Sequence, residues 1–136
     1  MPADTLMVLQ AAVTKTSTFQ GAGLNIISGV FPGEVLVARV IYSAATNATG
    51  ANSFNFTVEQ SIDNATWYTV GGAGGAYTLN LTTTAQAGEI FIPFEVRVSP
   101  STVGATGCWI RLVATLGGAG TVPTVTYQGD IVPAYP

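Results

Sequence analysis

The sequence predicts an all-β fold, an antiparallel β-sandwich of about 8–10 short strands, and three observations carry that reading. Runs rich in Val, Ile, Thr and aromatic residues, roughly 4–8 residues long, recur along the chain between clusters of Gly, Asn, Ser and Pro. Several of these runs alternate apolar and polar residues with period two, the spacing that puts side chains on opposite faces of a strand. After residue 18 no window of ~10 residues carries helical periodicity, and no fixed-period repeat is present. The length, 136 residues, suits one hydrophobic core. Residues 1–18 are expected to form an arm or edge strand, and residues 19–136 a single sandwich domain.

Each element has its own reason. Leu6, Val8 and Leu9 can sit in an extended N-terminal arm, and the Thr/Ser cluster at 14–18 ends any helix because its hydroxyls compete for backbone bonds. Residues 24–27 read as a short strand and 28–33 as a turn around Pro32. Residues 35–42 (VLVARVIY) form the strongest strand. Leu36, Ala38, Val40 and Tyr42 line one face; Val35, Val37, Arg39 and Ile41 line the other. Such a run is expected to be covered on both faces, and Arg39 within it must find a partner or reach the rim. A loop is expected over 44–53. Phe54, Phe56 and Val58 point inward, with Asn55, Thr57 and Glu59 outward.

The segment 61–66 is a turn, with Asp63 and Asn64 folding back on the backbone. Residues 67–70 complete a hairpin. The run GGAGG at 71–75 is a flexible connection. Residues 77–81 and 90–94 alternate again, and Pro93 marks the second as an edge strand or strand end. A polar loop at 99–107 leads to CWIRLVAT (108–115), the second strong central strand. A turn at 116–121 precedes runs at 122–127 and 129–132. Phe54, Phe56, Trp67 and Trp109 are the expected core anchors. Glu95 and Arg97 share a strand face and can pair; Arg39 and Arg111 are the other cations expected in structural ion pairs.

Composition narrows the function. Charged residues make up 8%, against a usual share of about 25%. A chain with four basic and seven acidic residues has either a neutral polar surface or a surface packed against other chains. Interface cores are depleted of charge in the same way. Lys15, Arg39, Arg97 and Arg111 are scattered singly, and the net charge is −3, so no phosphate-binding patch is expected and nucleic acid is excluded as a partner. The segment Met1-Pro2-Ala3-Asp4 lacks the basic region of a leader peptide, and no run approaches ~18 apolar residues, so no membrane partner is expected.

The chemical inventory argues against an enzyme. There is no His, which removes triads and most general-base and zinc schemes. Cys108 stands alone and is expected to be a buried thiol acting as a small hydrophobe. The carboxylate neighbours Glu59/Asp63 and Glu89/Glu95 read as solvated or structural groups. One carboxylate and one amide at Asp63-Asn64 are too few for a calcium site. No cofactor or metal is expected. Asn47, Asn55, Asn64 and Asn80 each open an Asn-x-Thr sequon, the simple product of a Thr- and Asn-rich surface. Trp67, Tyr68, Tyr77, Trp109 and Tyr127 could instead build a sugar-stacking platform.

The segment FTVEQSIDNATWYTV resembles the strand, Ser-x-Asp-Asn, aromatic, strand hairpin of many phage virion proteins. An Ala/Thr-rich arm (AAVTKTST) precedes it. Ile-Pro-Phe at 92–94, an aromatic-Ile-Arg-Leu strand at 109–112 and terminal Ile131-Val132 follow in order. Over most of its length the chain is similar to the small jelly-roll cement, or decoration, proteins on the capsids of tailed bacteriophages. That resemblance implies a jelly-roll-like sandwich that forms a homo-oligomer (a trimer before a dimer), binds the outer surface of the major capsid protein and stabilises the phage head. The protein would be made in the bacterial cytoplasm and end on the virion exterior. It implies no catalytic residues. Two other roles fit the same sequence, a glycan-binding module of a phage tail or cell surface, and a minor head–tail connector or tail subunit.

Overall fold

The computed structural model describes residues 7–26, 35–97 and 105–133. Ten strands run through them: β1 (Met7–Lys15), β2 (Phe19–Gln20), β3 (Leu24–Asn25), β4 (Val35–Thr46), β5 (Asn52–Ser61), β6 (Tyr68–Gly71), β7 (Thr78–Asn80), β8 (Gln86–Glu95), β9 (Trp109–Gly118) and β10 (Thr124–Pro133). A single 3-10 turn, Ala73–Gly75, links β6 to β7, so the GGAGG run is a tight connection.

The strands form two sheets. One has the order β1-β10-β4-β8; the other has β2-β9-β5-β6, with β3 also on β9 and β7 also on β5. Every pairing is antiparallel. Successive strands keep crossing between the two layers, so each sheet interleaves early and late strands. Taking β2/β3 and β6/β7 as split strands, this is the eight-strand order of a jelly roll. β1 is an edge strand of the first sheet, and the two strongest strands of the sequence, β4 and β9, are central. β8 is the other edge of the first sheet, where Pro93 costs no ladder bond to a further neighbour.

The core lies between the sheets. From β5 come Phe54, Phe56 and Val58; from β9 Ile110, Leu112 and Ala114; from β4 Leu36, Ala38 and Val40; from β8 Ile92 and Phe94. Period-two alternation places all of them on the inner faces, which is why the runs are legible as strands. Phe56 and Tyr127 bridge the layers edge to face, with ring centroids 5.2 Å apart.

Four expectations need correction. Trp67 and Trp109 are not core anchors; they are half-buried and lie on the outer face of the second sheet, because Ser61 pairs with Trp109 and Glu59 with Arg111 on the face opposite Phe56 and Val58. The outer face of β4 is not covered: Val35 is exposed, and Val37, Arg39 and Ile41 are only half-buried. The strand also runs on to Thr46, past an irregularity in register where Ala44 takes a left-handed φ of 51°. Glu95 and Arg97 form no ion pair; the ion pairs among the described residues are Arg39–Asp130 and Arg111–Glu59. The chain leaves the sheet at Glu95, so the two side chains no longer share a strand face. The expected turn at 28–33 and most of the loop at 99–107 lie outside the described residues.

Tyr127 gives a sharp test of this core. The residue is 1% exposed, its hydroxyl meets no hydrogen-bond partner among the described residues, and burial pushes its phenol from 10.0 up to about 12. Between those values the folded chain holds a proton that the unfolded chain has lost. Stability fully present below pH 10 is therefore lost as pH rises toward 12, by up to about 1.4 kcal/mol per pH unit. Tyr127→Phe is expected to remove that alkaline slope in denaturant titrations. At neutral pH it should be neutral or stabilising by up to about 1 kcal/mol, since a hydroxyl desolvated without a partner is lost. A slope that persists in the variant defeats this account.

Candidate functional site

Two outer faces carry the unusual side chains. On the first sheet, register sets Phe91 beside Arg39 and Arg39 beside Asp130, with Val8 next to Asp130 on β1. Above and below lie the rows Val37–Pro93–Val132 and Ile41–Glu89–Gln128. Val8 is 57% exposed, Phe91 51% and Val35 49%. Among the described residues, three of the five exposed large hydrophobics therefore share one face. Isolated exposed hydrophobics such as Val8, at the far edge, are ordinary, but Val35 and Phe91 are joined through Val37 and Pro93 on β4 and β8, and a contiguous apolar group marks a contact surface.

Arg39 holds the centre of this face. Its Nε and Nη2 donate to the two carboxylate oxygens of Asp130 at 3.1 and 2.7 Å, the two-pronged geometry that fits guanidinium to carboxylate. The Asp130 hydrogen bond and charge, with Glu89 adding, raise the guanidinium further above its ordinary value. Where β1 pairs irregularly with β10, a groove of about 230 Å³ opens beside Val8, Ala11, Ala12, Gln128 and Asp130.

The second face is built around Arg111. Its Nη2 lies 2.6 Å from Glu59 Oε1 and its Nε donates to the same oxygen at 2.7 Å. Its guanidinium stacks on the Trp67 ring, 4.2 Å from the centroid. One face of that indole is thus already occupied by a cation. Gly23 lets the chain run close to both indoles: a Cβ there would lie 2.9 Å from Trp67 and 3.1 Å from Trp109. The cluster thereby ties the 21–23 connection and the 61–67 turn to the sheet.

The turn below it is the one the sequence implied. Asp63 Oδ1 accepts from the Ala65 and Thr66 amides, each at 2.9 Å, and from the Ser61 hydroxyl at 2.8 Å. These bonds, the Thr66 amide first, hold the carboxyl below its ordinary value. Asn64 adopts φ 59°. Cys108 is buried, accepts from Gln60 Nε2 at 3.2 Å, and has its thiol pushed up by burial; a thiol in that state is a poor nucleophile.

The five aromatics of the sugar platform are not brought together. Tyr127 is in the core, Tyr77 packs against it, and the two indoles lie outside the second sheet. Among the described residues no group of three or more His, Cys, Asp or Glu could hold a metal ion. Sequence reading missed the exposure of Phe91 and Val8, and it missed Asp130 as the buried partner of Arg39. The signal was present in β8, where Ile90, Ile92 and Phe94 already supply the inner face and Phe91 and Pro93 are therefore surplus apolar residues on the other. No protein-family model, curated protein or solved structure matches this chain.

Proposed function

We propose that this chain is a structural virion protein, a capsid cement or decoration protein that docks on the outer surface of the major capsid protein. The observation that carries the reading is the exposed apolar face of the β1-β10-β4-β8 sheet in a chain with 8% charged residues. A lone soluble domain keeps such a face charged; a subunit of a large assembly covers it. The protein bridges neighbouring capsomers as a homo-oligomer, a trimer before a dimer, and buries surface across their seams. It binds the assembled shell and not the loose subunits. By mass action it therefore stabilises the shell against pressure from packaged DNA.

The test mixes the purified protein with mature capsids that lack it. Co-sedimentation and increased resistance of the capsids to heat are expected. Neither binding nor added resistance would sink the proposal. A second reading, glycan binding, draws on Trp67 and Trp109 lying outside the core. It requires signal on a glycan array that Trp109→Ala removes. The Arg111 guanidinium stacked on Trp67 weighs against it.

A further inference from the structure

From the charge and shape of the outer face of the β1-β10-β4-β8 sheet we infer its occupant: an apolar protein surface rimmed by Lys or Arg, and not a second copy of this chain. The inference deepens the capsid reading and rests on it for the partner's identity, since that surface would belong to the major capsid protein.

The charges on the face are unbalanced. Register places Glu89, Glu95 and Asp130 on it with Arg39 as the single cation among the described residues. Asp130 is already bound to Arg39 through both oxygens, which neutralises the centre. Glu89 and Glu95 remain exposed along β8, flanking the apolar residues Phe91 and Pro93. The face thus has a neutralised ion pair at its centre and, along its β8 edge, exposed apolar residues set between two carboxylates that form an acidic margin. Interfaces pair opposite potentials across their rims, and like charges brought together are penalised. Two copies face to face would set four unpaired carboxylates around one apolar contact with no free cation among the described residues of that face to meet them. A partner with a basic margin meets each of them. Exposed Phe91 is the natural anchor, as aromatic residues dominate interface energetics.

Two variants and a control test this. Phe91→Lys removes the anchor, and the pair Glu89→Lys/Glu95→Lys reverses the margin; all three positions are exposed, so both proteins should fold, which circular dichroism and a thermal melt check. Trp109→Ala alters the opposite sheet. On capsids, each face variant is expected to bind at least about tenfold more weakly, with Trp109→Ala binding as the wild type does. Wild-type affinity should fall as salt screens the margin. Capsid binding that both face variants retain would overturn the inference and leave the capsid reading intact.

A second arm needs no capsid. The probe is a resin carrying benzyl groups on quaternary amines, compared with a plain quaternary-amine resin. The wild type should be retained more strongly on the benzyl resin, and both face variants should lose that excess. If the wild type ignores capsids but shows this retention, the capsid reading fails and the inference stands; equal retention of all proteins overturns it. A wild-type oligomer in sedimentation equilibrium that Phe91→Lys alone dissociates would also overturn it, in favour of a second copy.

Discussion

Phe56→Ala is expected to destabilise the protein by about 3–5 kcal/mol, the range for truncating a fully buried aromatic ring. Phe56 is 0% exposed and its ring meets Tyr127 at an interplanar angle of 75°. The substitution therefore removes both transfer energy and the edge-to-face contact that joins the two sheets, and the surrounding strands cannot collapse into the space without breaking their ladders. For a domain of this size the melting temperature should fall by roughly 10–20 °C. Phe91→Ala supplies the comparison. The same ring is removed from a site 51% exposed, and the loss should stay under about 1 kcal/mol. Urea unfolding of both variants measures the difference, with the midpoint shifting and the slope unchanged. Equal shifts would mean that the layer contact at Phe56 is not the core.

Gly118→Ala is expected to cost about 2–4 kcal/mol for a different reason. Gly118 takes φ 89° at the end of β9, opposite Asn52. A Cβ there would strike the Ala51 carbonyl oxygen and lie 3.0 Å from Asn52 Cα. That same oxygen accepts from the amides of Ala119 and Gly120 at 3.0 and 3.1 Å, so moving it loosens the whole turn. Two other glycines separate the contributions. Gly74 has φ 73° and nothing within 4 Å of the place a Cβ would occupy, so Gly74→Ala should cost only the backbone strain, about 1 kcal/mol. A Cβ at Gly117 would meet Ser53 Oγ at 3.3 Å without positive φ, and Gly117→Ala should change stability by no more than ~0.5 kcal/mol. Thermal melts of the three variants rank them. If Gly118→Ala behaves like Gly74→Ala, the close approach of β5 and β9 is relieved at no cost and the clash contributes nothing.

The contrast between Phe56 and Phe91 also locates the limit of sequence reading. Phe54, Phe56 and Val58 alternate with Asn55, Thr57 and Glu59, so polarity alone assigns the inner face. In β4, and in the 90–94 stretch of β8, apolar residues occupy both parities, and polarity no longer separates inside from outside there. The sequence offered burial on both faces for β4; the second layer covers only one. The indoles failed for the opposite reason. Trp67 and Trp109 are the residues most expected inside by size, yet both share a face with Glu59 and Arg111, and the register of β5 with β9 sends that face outward.

The Asp63 turn needed no tertiary information, because its bonds span two or three residues and local chemistry decides them. The Arg39 partner did need it. The demand that a cation in an apolar strand be satisfied was plain from the sequence, but Asp130 lies 91 residues away, and only the β10–β4 pairing brings it alongside.

What the sequence by itself determined is therefore the β class, the Asp63 turn, the inner face of β5 and the absence of histidine chemistry. These follow from period-two alternation, from turn residues and from counting, each a property of a few neighbouring residues. The order of strands, the outward placement of the two tryptophans, the partners of Arg39 and Arg111 and the exposed face around Phe91 were decided only by the tertiary structure. Each depends on which strand lies beside which across long stretches of chain. A one-residue change of register would send each of these side chains to the other face.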